Sequence, residues 1–140
     1  MVWKKDLDIS TPIHQFRHYQ GYLYGFTGHI RGDNEAVASD SKLNLTCIEL
    51  ATGKVMWTQP GFRNGYSLIE ADGLLFVRSY QTLRLIEATP KGYVLKGEVK
   101  THDVWKPTRN LTDLVMPVLS RGRLYIRTPE ELLCYQVGKE

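Results

Sequence analysis

The sequence predicts an all-β fold built as a meander of short antiparallel strands. Two features carry that expectation. Runs of about 5–7 residues rich in Val, Ile, Leu, Tyr and Phe alternate with Gly, Asn and Asp turns. No segment keeps a 3.6-residue apolar period over three turns; the longest attempt, Leu111 to Leu119, is interrupted by Pro117. A parallel α/β sheet is excluded because the helices it needs are absent. The chain has 140 residues, 42% hydrophobic and 24% charged, which is the length and composition of one folded domain with a sizeable core.

A repeat organises the strands. Its first half is a turn Gly followed by an apolar strand: Gly21-Tyr22-Leu23-Tyr24, Gly73-Leu74-Leu75-Phe76 and Gly122-Arg123-Leu124-Tyr125. Its second half is a shorter alternating strand that begins at Leu45, Leu83 and Leu132. From Gly to Leu is ten residues in copies two and three and 24 in copy one, so the polar stretch His29 to Lys42 reads as a 14-residue insertion at a hairpin tip. A second insertion falls near Thr101 to Leu111. Repeats of about 40–50 residues with four short strands each have the length of propeller blades. The expected architecture is a partial β-propeller of about three four-stranded antiparallel blades in one domain, 1–140. Its repeats lie at approximately 11–59, 65–99 and 114–138, and residues 1–5 form the tail of a preceding blade. Propellers close with roughly 4–8 blades. Three blades therefore leave open edges, which are templates for pairing with another chain.

The segment Cys47-Ile48-Glu49-Leu50-Ala51-Thr52-Gly53-Lys54-Val55-Met56-Trp57 resembles the Ala-x-Asp-x-x-Thr-Gly-x-x-x-Trp motif of quinoprotein-like, or PQQ-binding-like, β-propeller repeats. Thr52, Gly53 and Trp57 match; Cys47 and Glu49 stand where the motif prefers Ala and Asp. Thr52-Gly53 read as a tight turn, with Gly where a positive φ is inexpensive, and Trp57 as a large face packed on the neighbouring blade. Copy two keeps only the turn Thr89-Pro90-Lys91-Gly92 and a strand from Tyr93 to Val99 without Trp, copy three stops at Val137-Gly138, and Val2-Trp3-Lys4 looks like the end of an outer strand. The resemblance implies the carboxyl-terminal portion of a bacterial repeat protein, working in the periplasm or outside the cell. The family includes quinone-dependent alcohol dehydrogenases and the scaffold of an outer-membrane assembly machine.

Chemistry-bearing patterns are sparse. His14 and His18 would share a helix face, but on a strand they lie about 13 Å apart, too far to hold one metal ion. Cys47 and Cys134 occupy the same position in two copies, a blade apart, and read as buried small side chains rather than a disulfide or a nucleophile. Arg31-Gly32-Asp33 and the sequons at Asn44 and Asn110 read as incidental. No paired carboxylates and no phosphate-cradling Gly loop are visible. The candidate partner contacts are His29, Arg31 and Asp33 in the first insertion and Trp105, Lys106 and Arg109 in the second. Trp105 has a competing reading as a blade-docking residue like Trp57.

The formal net charge of +3, without a Lys/Arg run of four, gives no nucleic-acid footprint. The opening residues lack a secretory apolar stretch, and no run is long enough to span a bilayer. The expected role is a non-catalytic protein-binding or scaffold module, without cofactor or catalytic residues, that self-associates or forms part of a longer propeller. The alternative is a fragment of a PQQ-dependent dehydrogenase-like oxidoreductase. That enzyme would need quinone, calcium, an Asp base and commonly an adjacent cysteine pair, which this sequence lacks.

Overall fold

The computed structural model describes residues 1–7, 16–29, 42–62, 65–79, 82–100, 117–127 and 131–138. Eleven strands form three separate antiparallel sheets, none of them closed into a barrel, and no helix occurs among the described residues. The first sheet is β1 (Arg17–Tyr19), β2 (Tyr22–His29), β3 (Lys42–Glu49) and β4 (Val55–Phe62), in that order. The second is β5 (Gly65–Ala71), β6 (Leu74–Ser79), β7 (Thr82–Glu87) and β8 (Leu95–Lys100). The third holds β9 (Val118–Ser120), β10 (Arg123–Arg127) and β11 (Leu132–Gln136), three strands among the described residues where four are expected. The outer strand of the first sheet runs three residues past the expected end at 59, and that of the second starts at Leu95, which leaves Tyr93 in the preceding turn.

The repeat has a backbone signature. Each sheet opens with a two-residue hairpin in which both central residues have positive φ: Gln20 and Gly21, Asp72 and Gly73, Arg121 and Gly122. That is the geometry whose twist matches paired strands. The glycine is the residue visible in sequence, whereas Gln20 and Arg121 accept a left-handed backbone that most side chains avoid. The carbonyl of each turn glycine then receives the N–H of the residue just after the third strand: Leu50 to Gly21, Ala88 to Gly73 and Val137 to Gly122, at 2.9, 2.8 and 2.9 Å. The first pair is 29 residues apart and the others 15, so the excess of copy one falls in the β2–β3 hairpin, whose strands each run two residues longer than β6 and β7 and pair out to His29 and Lys42, with 30–41 between them.

Because side chains alternate along a strand, each sheet has two faces. On the first, Tyr24, Phe26, Leu45 and Cys47 share the front, and Leu23, Thr46 and Ile48 the back. The front of the first sheet packs on Leu68, Leu75, Val77 and Ile86, the back of the second. The front of the second, with Phe76 and Leu83, packs on Leu124 and Ile126, the back of the third. The sheets therefore stack front to back in chain order. The innermost strands of the first two also meet, with Arg17 Nε donating to the Leu68 carbonyl at 2.9 Å.

Candidate functional site

The most specific construction in the molecule is the turn between the third and fourth strands, together with the indole that docks on it. In the first sheet, Gly53 N–H donates to the Glu49 carbonyl at 2.9 Å, and the Thr52 hydroxyl donates to the Glu49 carboxylate. Thr52 Oγ1 also accepts the Lys54 N–H at 3.2 Å. Gly53 has φ of +72°, and a Cβ there would lie 2.7 Å from the Trp3 ring. Glycine is thus required twice, for the backbone and for the approach of the indole. Trp3 Nε1 donates to the Leu50 carbonyl at 2.8 Å.

Trp57 makes the equivalent bond one sheet further on, from Nε1 to the Thr89 carbonyl at 2.8 Å. Its ring also meets Tyr24 (centroids 6.1 Å) and, edge to face, Tyr93 (6.3 Å). Tyr93 continues to Phe62 at 6.4 Å, and Phe62 to Phe26 at 5.8 Å, while the Arg84 guanidinium lies 5.0 Å from the centre of the Phe62 ring. Arg84 is held by Glu98 at 2.7 Å. The aromatic cluster joins two sheets through quadrupolar and cation–π contacts added to burial.

A bulge places Trp57. Cys47 pairs with Trp57 but Ile48 with Val55, so Met56 is the extra residue. The second sheet repeats this irregularity, with Leu85 opposite Gly97, Ile86 opposite Leu95, and Lys96 extra. Gly97 therefore occupies the position of Trp57, and β8 carries no indole at that position. Neither the bulge nor this equivalence is readable from spacing, because the turn before β8 is longer than the turn before β4.

The two cysteines share a register, Cys47 opposite Tyr24 and Cys134 opposite Tyr125, but not an environment. Cys47 is fully buried and Cys134 is exposed, which corrects the expectation of two buried thiols. The physical reason is that the second sheet covers the front face of the first, whereas the front of the third carries no sheet among the described residues. Burial pushes the Cys47 thiol up to about 11, and burial with the neighbouring thiol raises the Tyr24 phenol well above the usual tyrosine range. The Tyr24 hydroxyl is buried without a hydrogen-bond partner. Both groups are held neutral inside the stack, an environment that suppresses a thiolate nucleophile.

Of the candidate partner contacts, His29 is the last residue of β2, while Arg31, Asp33, Trp105, Lys106 and Arg109 lie outside the described residues. His14 does as well, whereas His18 sits on β1 and accepts the Gly21 N–H at Nε2, 3.2 Å away. Asn44 is within β3, and Asn110 lies outside the described residues. Among the described residues, no three His, Cys, Asp or Glu side chains gather where they would hold a metal ion. No helix among the described residues is long and apolar enough to cross a membrane.

No family model matches the chain, and no curated protein matches it either.

Proposed function

We propose that the three sheets are blades of a quinoprotein-like β-propeller and that the chain serves as a non-catalytic module that binds protein partners. The observation that carries this reading is the docked indole. Trp57 reaches from the outer strand of one sheet to the turn of the next, Trp3 does the same one step earlier, and both donate to a turn carbonyl at 2.8 Å. This is the packing role that the resemblance assigns to the motif's Trp and Thr-Gly. The binding role is supported by composition and placement: a rigid β-scaffold joins its strands through two long polar insertions, where recognition residues are usually carried. The partner is a protein met through Arg31, Asp33, Trp105, Lys106 and Arg109, and the compartment is periplasmic or extracellular.

Capture from extracts of the source cells tests this. One protein should be retained by the intact chain and lost from a variant combining Arg31→Ala, Trp105→Ala and Arg109→Ala whose circular dichroism is unchanged. Saturable binding of pyrroloquinoline quinone in the presence of calcium, read by the quinone's absorption, would overturn the non-catalytic reading.

A further inference from the structure

The three hairpins that open the sheets share a backbone and differ in chemistry. Their first central residues are Gln20, Asp72 and Arg121, each with positive φ and each followed by glycine. Of these side chains, Asp72 alone carries a carboxyl carbon that can close a five-membered ring on the nitrogen of the next residue. The glycine that follows presents no Cβ to hinder such a ring. Among the described residues, no other Asp or Asn precedes a glycine. Asp72 is exposed, whereas Gly73 beside it is held in place. Its N–H donates to Glu70 Oε1 at 3.1 Å, and its carbonyl accepts the Ala88 N–H at 2.8 Å. Tyr19 covers the same glycine, since a Cβ there would lie 2.9 Å from the Tyr19 hydroxyl.

We propose that Asp72 is a site of spontaneous covalent modification, isomerising to isoaspartate through a succinimide, and that the folded hairpin restrains the reaction. The Gly73 nitrogen attacks Cγ of the Asp72 carboxylic acid and forms a Cγ–N bond, while the proton from nitrogen and the carboxyl hydroxyl leave as water. Water then opens the ring. Addition at Cγ returns aspartate, and addition at the main-chain carbonyl leaves a peptide that runs through Cβ and Cγ, with no net change in mass. The nitrogen must shed its proton to react, and the Glu70 carboxylate opposes this in two ways. It accepts the hydrogen of that N–H, and its charge disfavours a negative charge on nitrogen. The reaction therefore proceeds from chains in which the hairpin has opened, and its rate follows their population. Because the isoaspartyl main chain is one atom longer, the two-residue turn no longer sets Ala71 opposite Leu74.

The test follows one tryptic peptide, residues 64–78, after the intact chain has been stored in warm neutral buffer with and without unfolding concentrations of guanidinium chloride. A second form of this peptide is expected, unchanged in mass and no longer cleaved before Asp72 by an Asp-specific protease. It should accumulate at least about tenfold faster in the unfolded chain. Asn64 in the same peptide also precedes a glycine, but its cyclisation expels ammonia and changes the mass, which tells the two reactions apart. In the folded chain, Glu70→Ala should speed the reaction severalfold, and Glu70→Gln, which keeps an acceptor without the charge, should fall between the two. The proposal is overturned by an absence of isoaspartate at 72 in the unfolded chain, or by equal rates in the folded and unfolded chains. A Glu70→Ala chain of unchanged strand signal in circular dichroism that reacts no faster, or a Glu70→Gln chain that reacts more slowly than the unaltered protein, would overturn it as well.

Discussion

The two junctions between sheets are built from the same register and differ in what fills it. At the first, eleven residues form one buried cluster, Trp57 donates to the next sheet's turn, and rings from Tyr24 to Phe26 touch in sequence. At the second, four buried residues among the described ones, Phe76, Leu83, Leu124 and Ile126, are bordered by half-buried neighbours, and Gly97 stands at the position of Trp57. The backbone pattern alone therefore does not set the strength of a joint. The large side chain delivered by the bulged outer strand does, because aromatic burial and one satisfied indole N–H add where backbone geometry is the same.

The largest expected effect breaks the stronger joint. Trp57→Ala removes the indole bond to Thr89 and the contacts to Tyr24 and Tyr93, and is expected to cost about 3–5 kcal/mol, read as a fall in the urea midpoint. A loss under 1 kcal/mol would mean that Trp57 is not the anchor of that junction.

The next effect exploits what is buried there. The Cys47 thiol loses its proton at about 11 in the folded chain, against 9.0 for the free group. A folded-state value raised in this way stabilises the protein below pH 9, and that contribution is lost as pH rises through 11. The loss amounts to roughly 2–3 kcal/mol. Tyr24 is shifted in the same direction and steepens the decline. Cys47→Ala should flatten the part of the pH–stability curve between 9 and 11 that belongs to the thiol.

The smallest effect sharpens the comparison by repairing the weaker joint. A Cβ at Gly97 meets nothing within 4 Å, so Gly97→Trp is sterically admissible. It restores a strand-forming side chain and places an indole where the first sheet has one, with an expected gain of about 1 kcal/mol in urea unfolding. No gain would show that the third sheet's turn does not accept a docked indole.

Much of this arrangement was legible in the chain. Gly21, Gly73 and Gly122 mark three hairpins because tight turns of this hand need positive φ, and the insertion expected at His29 to Lys42 falls in the β2–β3 hairpin, its two end residues belonging to the strands. Thr52-Gly53 and Trp57 stood out through the resemblance to a repeat motif, in which turn and indole lie a few residues apart. Gly97 did not, since the turn before β8 is longer and the bulge at Lys96 shifts the count. The unequal fates of Cys47 and Cys134 were also hidden, because residues at one repeat position differ only in what another sheet lays over them.

The sequence by itself determined the all-β class, the hairpin positions and which residues alternate to one face, all of which follow from local sterics and the two-residue period of a strand. The tertiary structure alone decided which face is covered, that Trp3 and Trp57 play the same part on successive sheets, and that β11 is left with an open edge among the described residues. Those depend on contacts between residues far apart in the chain, such as Trp3 with Leu50, 47 positions apart, and Arg17 with Leu68, 51 apart. Packing between sheets, rather than the pattern within any one of them, brings such residues together.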